Sequence, residues 1–231
     1  IIYHAEIIIQ GSQLFKGGYI GVDIFFVISG YLISSIIFRE LEETKSFSFK
    51  YFYERRIRRI IPVLIFVIIT SIPIAWFVLS PIELVDYSKS ILYTLGFSSN
   101  LYFHFSGQEY AALSGLYKPF LHSWSLSVEE QYYAIFPIII LIIFKFYKKF
   151  LINFLFLIFF SSLLLSEMGS KNFSSFNFYI LPTRMWEILI GTFVAYYKLD
   201  NKYQSKLTKI NYVFPSFGLI LIFYSFLFFD H

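Results

Sequence analysis

HSWSLSVEEQYYAIFPIIILIIFKFYKK, residues 122–149, is the stretch that decides the fold. Its first half carries a histidine, three serines and two adjacent glutamates, and its second half is an apolar run closed by three lysines. Such a run reads as a helix crossing hydrocarbon, because about 20 apolar residues span a bilayer core. The lysines mark one aqueous boundary. The carboxylates stand at the other, where ionisable groups in membrane helices are costly and carry function by default.

The same pattern recurs in both directions. Apolar stretches predict spans at about 1–9, 18–38, 60–80, 128–146, 150–167, 179–197 and 210–229, the first of them truncated. Composition agrees: the chain is 57% hydrophobic and 23% aromatic with 15% charged residues, against about 25% charged in a soluble domain. The spans run down the whole chain, so a cleaved signal peptide does not explain them. No cysteine is present, which excludes disulfides, thiolate metal sites and a cysteine nucleophile. No histidine pair has metal-ligand spacing, and no metal site is expected. The chain opens at Ile1 in apolar sequence and stops as abruptly at His231, so 1–231 is expected to be one membrane domain, incomplete at both ends.

Basic residues set the orientation. Of the 19 Lys and Arg, fourteen fall in 39–59, 145–149 and 198–209; placing these three loops in the cytoplasm satisfies the positive-inside rule. The net charge of +4 is therefore read as topology rather than as a nucleic-acid partner. Between the spans 60–80 and 128–146 the chain must begin and end outside. Segment 84–105, interrupted by Asp86, Lys89, Asn100 and His104, is accordingly expected to be re-entrant or interfacial. The predicted fold is an all-α polytopic transmembrane helical bundle of about seven spans plus this segment.

With that threading, His4, Asp23, His122, Glu129, Glu130, Arg184 and Glu187 gather toward the outer side, at depths within roughly 10 to 12 Å of the surface at 1.5 Å per residue. Asp23 looks across to another helix, with Arg184 as the natural partner, and Arg184 and Glu187 share one face of theirs. Glu129 and Glu130 also suit a helix N-terminus for its dipole alone. On the inner side, FKYFYERRIRRIIP sets Arg55, Arg56, Arg58 and Arg59 before a span, with Arg55/Arg58 and Arg56/Arg59 at i, i+3. Clustered guanidinium groups fork onto phosphates, either of a ligand or of anionic lipid headgroups.

GGYIGVDIFFVISGYLI (17–33), FYERRIRRIIP (52–62), HSWSLSVEEQYYAIFP (122–137) and LPTRMWEILIG (181–191) follow one another here as the motifs of the acyltransferase-3 family do. The chain resembles that family of bacterial membrane O-acyltransferases from its first residues to about 200. The resemblance implies acyl transfer, usually of acetyl, from cytoplasmic acyl-CoA to a hydroxyl of a surface glycan such as O-antigen, peptidoglycan or exopolysaccharide. It implies a multi-pass protein of the bacterial inner membrane, with membrane lipids and a glycan acceptor as partners. LPTRMWE is similar to the branch in which a periplasmic SGNH domain follows. The family's histidine in a YHA context maps onto Tyr3-His4-Ala5, and its RxxR motif, linked to the acyl-CoA co-substrate, onto Arg55/Arg58 or Arg56/Arg59. No bound cofactor is implied.

Acyl transfer from a thioester needs a base for the attacking hydroxyl and donors for the oxyanion. His4 is expected as base, Glu129 or Glu130 to orient the imidazole or the sugar, Arg184 or His122 to assist charge stabilisation, and Asp23, Glu187 and Trp124 to support the site. The serines at 123, 125 and 127 lack a nucleophile-elbow context. A transporter or flippase of a lipid-linked or anionic substrate is the rival reading, because it too places charges in broken helices.

Overall fold

The computed structural model describes residues 8–9, 12–13, 16–106, 118–199 and 210–228. Helices dominate: α1 (Ile20–Thr44), α2 (Phe49–Val78), α3 (Pro81–Leu95), α4 (Ser99–Phe105), α5 (Ser123–Tyr147), α6 (Leu151–Asn172), α7 (Ser174–Tyr179), α8 (Leu181–Leu199) and α9 (Ile210–Phe228). Among the described residues, three stretches are long and apolar enough to cross a membrane: Gly17–Thr44, Phe49–Val78 and Ser123–Asn172. The third is two helices, α5 and α6, joined by a 3-10 turn at Lys148–Phe150. On α2, Phe66, Trp76 and Phe77 are 67%, 71% and 86% exposed. Large side chains left uncovered in this way match lipid as their solvent.

The chain divides into two compact units, Ile1–Arg39 with Glu187–His231, and Glu40–Trp186. In the first, α1 and α8 approach so closely that glycine is required. A Cβ on Gly30 would lie 1.9 Å from the Ile188 carbonyl oxygen, and one on Gly191 the same distance from that of Val27. Ser34 and Thr192 exchange a buried hydroxyl hydrogen bond of 2.7 Å at the same seam. Small residues let backbones meet where no hydrophobic effect drives helices together. A 3-10 turn, Lys16–Tyr19, enters α1 and packs on α9.

In the second unit, α3 starts with a complete capping box. The Ser80 N–H donates to Glu83 (2.8 Å), the Ser80 hydroxyl accepts from the Glu83 N–H (3.5 Å), and Pro81 takes the first helical position. α3 ends at Gly96, and Phe97 adopts φ 49°, which turns the chain into α4. Segment 84–105 is thus a broken helix rather than one continuous rod.

Three expectations change. Ile8–Ile9 pair antiparallel with Ser12–Gln13 instead of ending a helix. The loop expected at 39–59 shrinks to residues 45–48, because α1 runs on to Thr44 and α2 begins at Phe49 with the arginines inside its first turns. α5 begins at Ser123, five residues earlier than expected, with His122 at its N-cap.

Candidate active site

The site is built on the first turns of α5. Apolar and aromatic side chains at Trp124, Val128, Tyr132, Tyr133, Phe136 and Ile140 are buried, a helical stripe that turns the polar residues between them toward defined neighbours. Glu129 and Glu130 are adjacent, so they point about 100° apart around the axis and meet different partners. Glu129 is 5% exposed and accepts a hydrogen bond from the Tyr133 hydroxyl, one turn further on. Glu130 takes the guanidinium of Arg56.

That pair is close and largely enclosed. Arg56 Nη2 donates to Glu130 Oε1 at 2.5 Å and Nε reaches Oε1 and Oε2 at 3.2 and 3.4 Å. The two side chains are 18% and 12% exposed. The guanidinium carbon lies 3.7 Å from the centre of the Tyr133 ring, so Arg56 is held by charge on one side and by a π face on the other. Tyr53 completes the arrangement by donating toward the carbonyl oxygens of Tyr133 (3.1 Å) and Ala134 (3.3 Å). Beside it opens a pocket of about 360 Å³ lined by Tyr53, Arg56, Ile60, Phe97, Glu130 and Gln131, among others.

This geometry corrects the separation of an inner arginine patch from an outer carboxylate cluster. α5 runs antiparallel to α2, with Tyr53 beside Tyr133 and Arg56 beside Glu130. It begins beside the middle of α2, where Phe120 joins the core formed by Leu64, Ile68, Ala75 and Tyr87. Arg56 and Glu130 therefore stand at one depth. The four arginines also split. Arg56 turns inward, whereas Arg55, Arg58 and Arg59 are exposed. Arg58 is joined by Glu54 at 2.8 Å, a solvent-exposed pair worth about 0.2–1 kcal/mol at most.

Two of the motif serines, Ser123 and Ser127, tie helices together. Ser127 Oγ lies 2.8 Å from Ser99 Oγ and accepts from the Ser99 N–H at 3.2 Å. Ser123 Oγ lies 2.9 Å from both Ser99 Oγ and Thr94 Oγ1. Asn100 and Gln131 exchange side-chain hydrogen bonds, with Gln131 also donating to the Phe97 carbonyl (3.0 Å) and Asn100 to that of Tyr179 (3.0 Å). Together they pin the break between α3 and α4 to α5 and satisfy the backbone groups it frees.

Arg184, on α8, donates from Nε to the Phe178 carbonyl at 3.3 Å and lies over the rings of Trp124 (5.7 Å) and Phe178 (5.1 Å). Trp124 is 1% exposed and packs on Phe178 at 4.4 Å. The second unit thus brings Trp124, Glu129, Glu130, Arg56 and Arg184 onto one set of packed helices, with His122 exposed at the start of α5. Asp23, in the first turn of α1, and Glu187, 2% exposed on α8, belong to the first unit. His4 lies outside the described residues. Sequence reasoning missed Tyr53, Gln131 and Tyr133 as site residues. An amide and tyrosine hydroxyls beside two glutamates at a membrane threshold were the available signal.

The chain belongs to the acyltransferase-3 family: the family model described as an acyltransferase domain matches residues 2–231. It is 37% identical over 212 residues to an uncharacterized protein of Haemophilus influenzae (strain Rd), covering 87% of this chain and 84% of that one. It is 39% identical over 134 residues to the peptidoglycan O-acetyltransferase OatA of Listeria monocytogenes, covering 58% of this chain and 21% of that one. A putative O-acetyltransferase of Staphylococcus aureus (strain COL) is 31% identical over 238 residues, 97% of this chain and 38% of its own. The chain thus spans most of the first relative and well under half of the other two. No solved structure matches it. The family and these relatives make the chain a membrane O-acyltransferase domain.

Proposed function

We propose that the domain transfers an acyl group, acetyl in the simplest case, from cytoplasmic acyl-CoA to a hydroxyl of an extracytoplasmic glycan, in the bacterial inner membrane. Among relatives, the Listeria protein is named for peptidoglycan, which supports a polymeric glycan such as peptidoglycan, O-antigen or exopolysaccharide as acceptor. A following SGNH domain in the full protein fits the much greater length of that relative.

The observation that carries this reading is the contrast among the arginines. Arg56 is neutralised by Glu130 and stacked on Tyr133, while Arg55 and Arg59 are exposed on the same turns of α2, beside the solvent-exposed pair of Arg58 with Glu54. The exposed face suits the phosphates of a nucleotide thioester. The enclosed pair fixes the wall of the pocket next to it. His4 takes the proton of the acceptor hydroxyl, whose oxygen attacks the thioester carbonyl. The thiolate of CoA then leaves, accepting that proton from the imidazolium. Glu129 orients the imidazole or the sugar, and Arg184 and His122 assist the oxyanion.

The test is thioester consumption by purified protein in vesicles supplied with labelled acetyl-CoA and glycan. His4→Ala should abolish ester formation while leaving membrane insertion and yield intact. Full activity in that variant removes His4 from the role, and binding of substrate without thioester loss in the wild type points to a carrier.

A further inference from the structure

A second pocket, of about 560 Å³, opens where α6 meets α7, lined by His104, Asn172, Phe173, Ser174, Ser175 and Phe176. Its volume falls in the range of about 300–1,000 Å³ usual for small-molecule sites. None of the six residues carries a carboxylate, ammonium or guanidinium group. Phe173 and Phe176 are 68% and 37% exposed, offering ring faces to whatever enters. His104 Nδ1 is engaged by Ser175 Oγ at 3.0 Å and its ring meets Phe176 edge-on at 5.9 Å. The imidazole is thereby fixed, and among the described residues no hydrogen-bond partner occupies its other nitrogen. The Ser174 hydroxyl likewise has none, and the Asn172 amide makes only a 3.4 Å contact to the Met168 carbonyl.

Flat apolar faces beside fixed donors and acceptors are what a neutral sugar ring requires. Its C–H face lies on an aromatic ring, and its hydroxyls pair with amide, hydroxyl and imidazole. No lysine or arginine stands among these six residues to favour a phosphate or carboxylate. The place in the fold agrees. The pocket lies at the end of α6 opposite Lys148 and Lys149. Its wall, α7, continues directly into the group around Arg184: Phe178 packs at a tilt on Trp124, and its carbonyl accepts from Arg184. Phe176 and Phe178 sit two residues apart on one six-residue helix, so α7 carries both the wall of the pocket and a residue of the group around Arg184.

We propose that this crevice is a subsite for a neutral sugar unit of the acceptor glycan. The proposal rests on the glycan-acylation reading and identifies where the polymer is gripped away from the reacting hydroxyl.

The test uses the protein in nanodiscs with an N-acetylglucosamine tetramer as probe, read by saturation-transfer NMR, and acetyl-CoA consumption measured on the same sample. Phe173→Leu keeps an apolar side chain but removes the ring. It should weaken tetramer binding about tenfold, the scale of one lost contact of about 1.4 kcal/mol, and Phe173→Trp should restore it. Asn172→Ala with Ser174→Ala should weaken binding similarly. In all of these variants the KM for acetyl-CoA should stay unchanged. Equal binding by wild type and Phe173→Leu would reduce Phe173 to an interfacial anchor and overturn the subsite, as would no tetramer binding by the wild type. Ring-dependent tetramer binding without thioester consumption would instead sink the acylation reading and leave the subsite standing.

Discussion

Arg56→Met isolates the enclosed ion pair. The substitution nearly conserves length, removes the cation that Glu130 pairs with, and removes the stack on Tyr133. Because the two side chains are 18% and 12% exposed, the pair approaches the buried case, in which removing one partner costs about 3–5 kcal/mol. The residual access of solvent places the expectation at the lower end, about 3 kcal/mol. For 150–250 residues each kcal/mol moves the thermal midpoint by about 2–4 °C, so Arg56→Met should melt about 6–12 °C below the wild type in detergent. Arg56→Met with Glu130→Leu replaces the pair by hydrocarbon and should recover most of that loss, a coupling of about 2 kcal/mol. Thermal unfolding of all four proteins closes the cycle. A midpoint unchanged in Arg56→Met, or a double variant as unstable as the sum of the singles, would refute the pair as the element that fixes α2 against α5.

The exposed arginines should behave in the opposite sense. Arg55→Ala with Arg59→Ala is expected to raise the KM for acyl-CoA about tenfold or more, the loss of charge-assisted contacts worth about 1.5–3 kcal/mol, with little change in melting; steady-state kinetics over thioester concentration reads this. Gly30→Ala and Gly191→Ala each force a methyl group into a backbone carbonyl 1.9 Å away, so each should lower stability by at least the 1–3 kcal/mol or so of an overpacked core, seen as a lower melting midpoint. Hydrogen bonds from Ser80 hold the Glu83 carboxyl below its ordinary value. The capping box therefore contributes fully above the unfolded carboxyl range and is lost as pH falls through the lowered folded value. The protection factor of the Ser80 amide, its exchange relative to the intrinsic rate at the same pH, should fall on acidification, and Glu83→Ala should remove that pH dependence.

Helix existence was legible because apolar runs report it directly, and α1, α2, α5, α6, α8 and α9 each overlap a predicted span. Helix ends were not, because charge at a helix start resembles a loop. RRIRR sits inside α2, which begins eleven residues before the expected boundary. The serines of SWSLS likewise lie inside α5, where the Ser123 and Ser127 hydroxyls bond across to α4. Glu129, Arg184 and Trp124 stand out in a sequence as polar or amphipathic groups near hydrocarbon. The contact between Arg56 and Glu130 does not, because 74 residues separate them and hydropathy says nothing about the level at which one helix starts beside another. Gly30 and Gly191, present in the quoted motifs without any stated role, acquire one only when the helices are seen to touch.

In the proposed reaction the acyl group is taken up on the side of Arg55, Arg58 and Arg59 and delivered on the other. Sealed vesicles of known orientation, with labelled acetyl-CoA confined to one face and glycan to the opposite one, test it most directly. Ester on the glycan is expected only when the thioester is on the cytoplasmic face. Equal ester formation from thioester supplied on the glycan's own side would contradict the account.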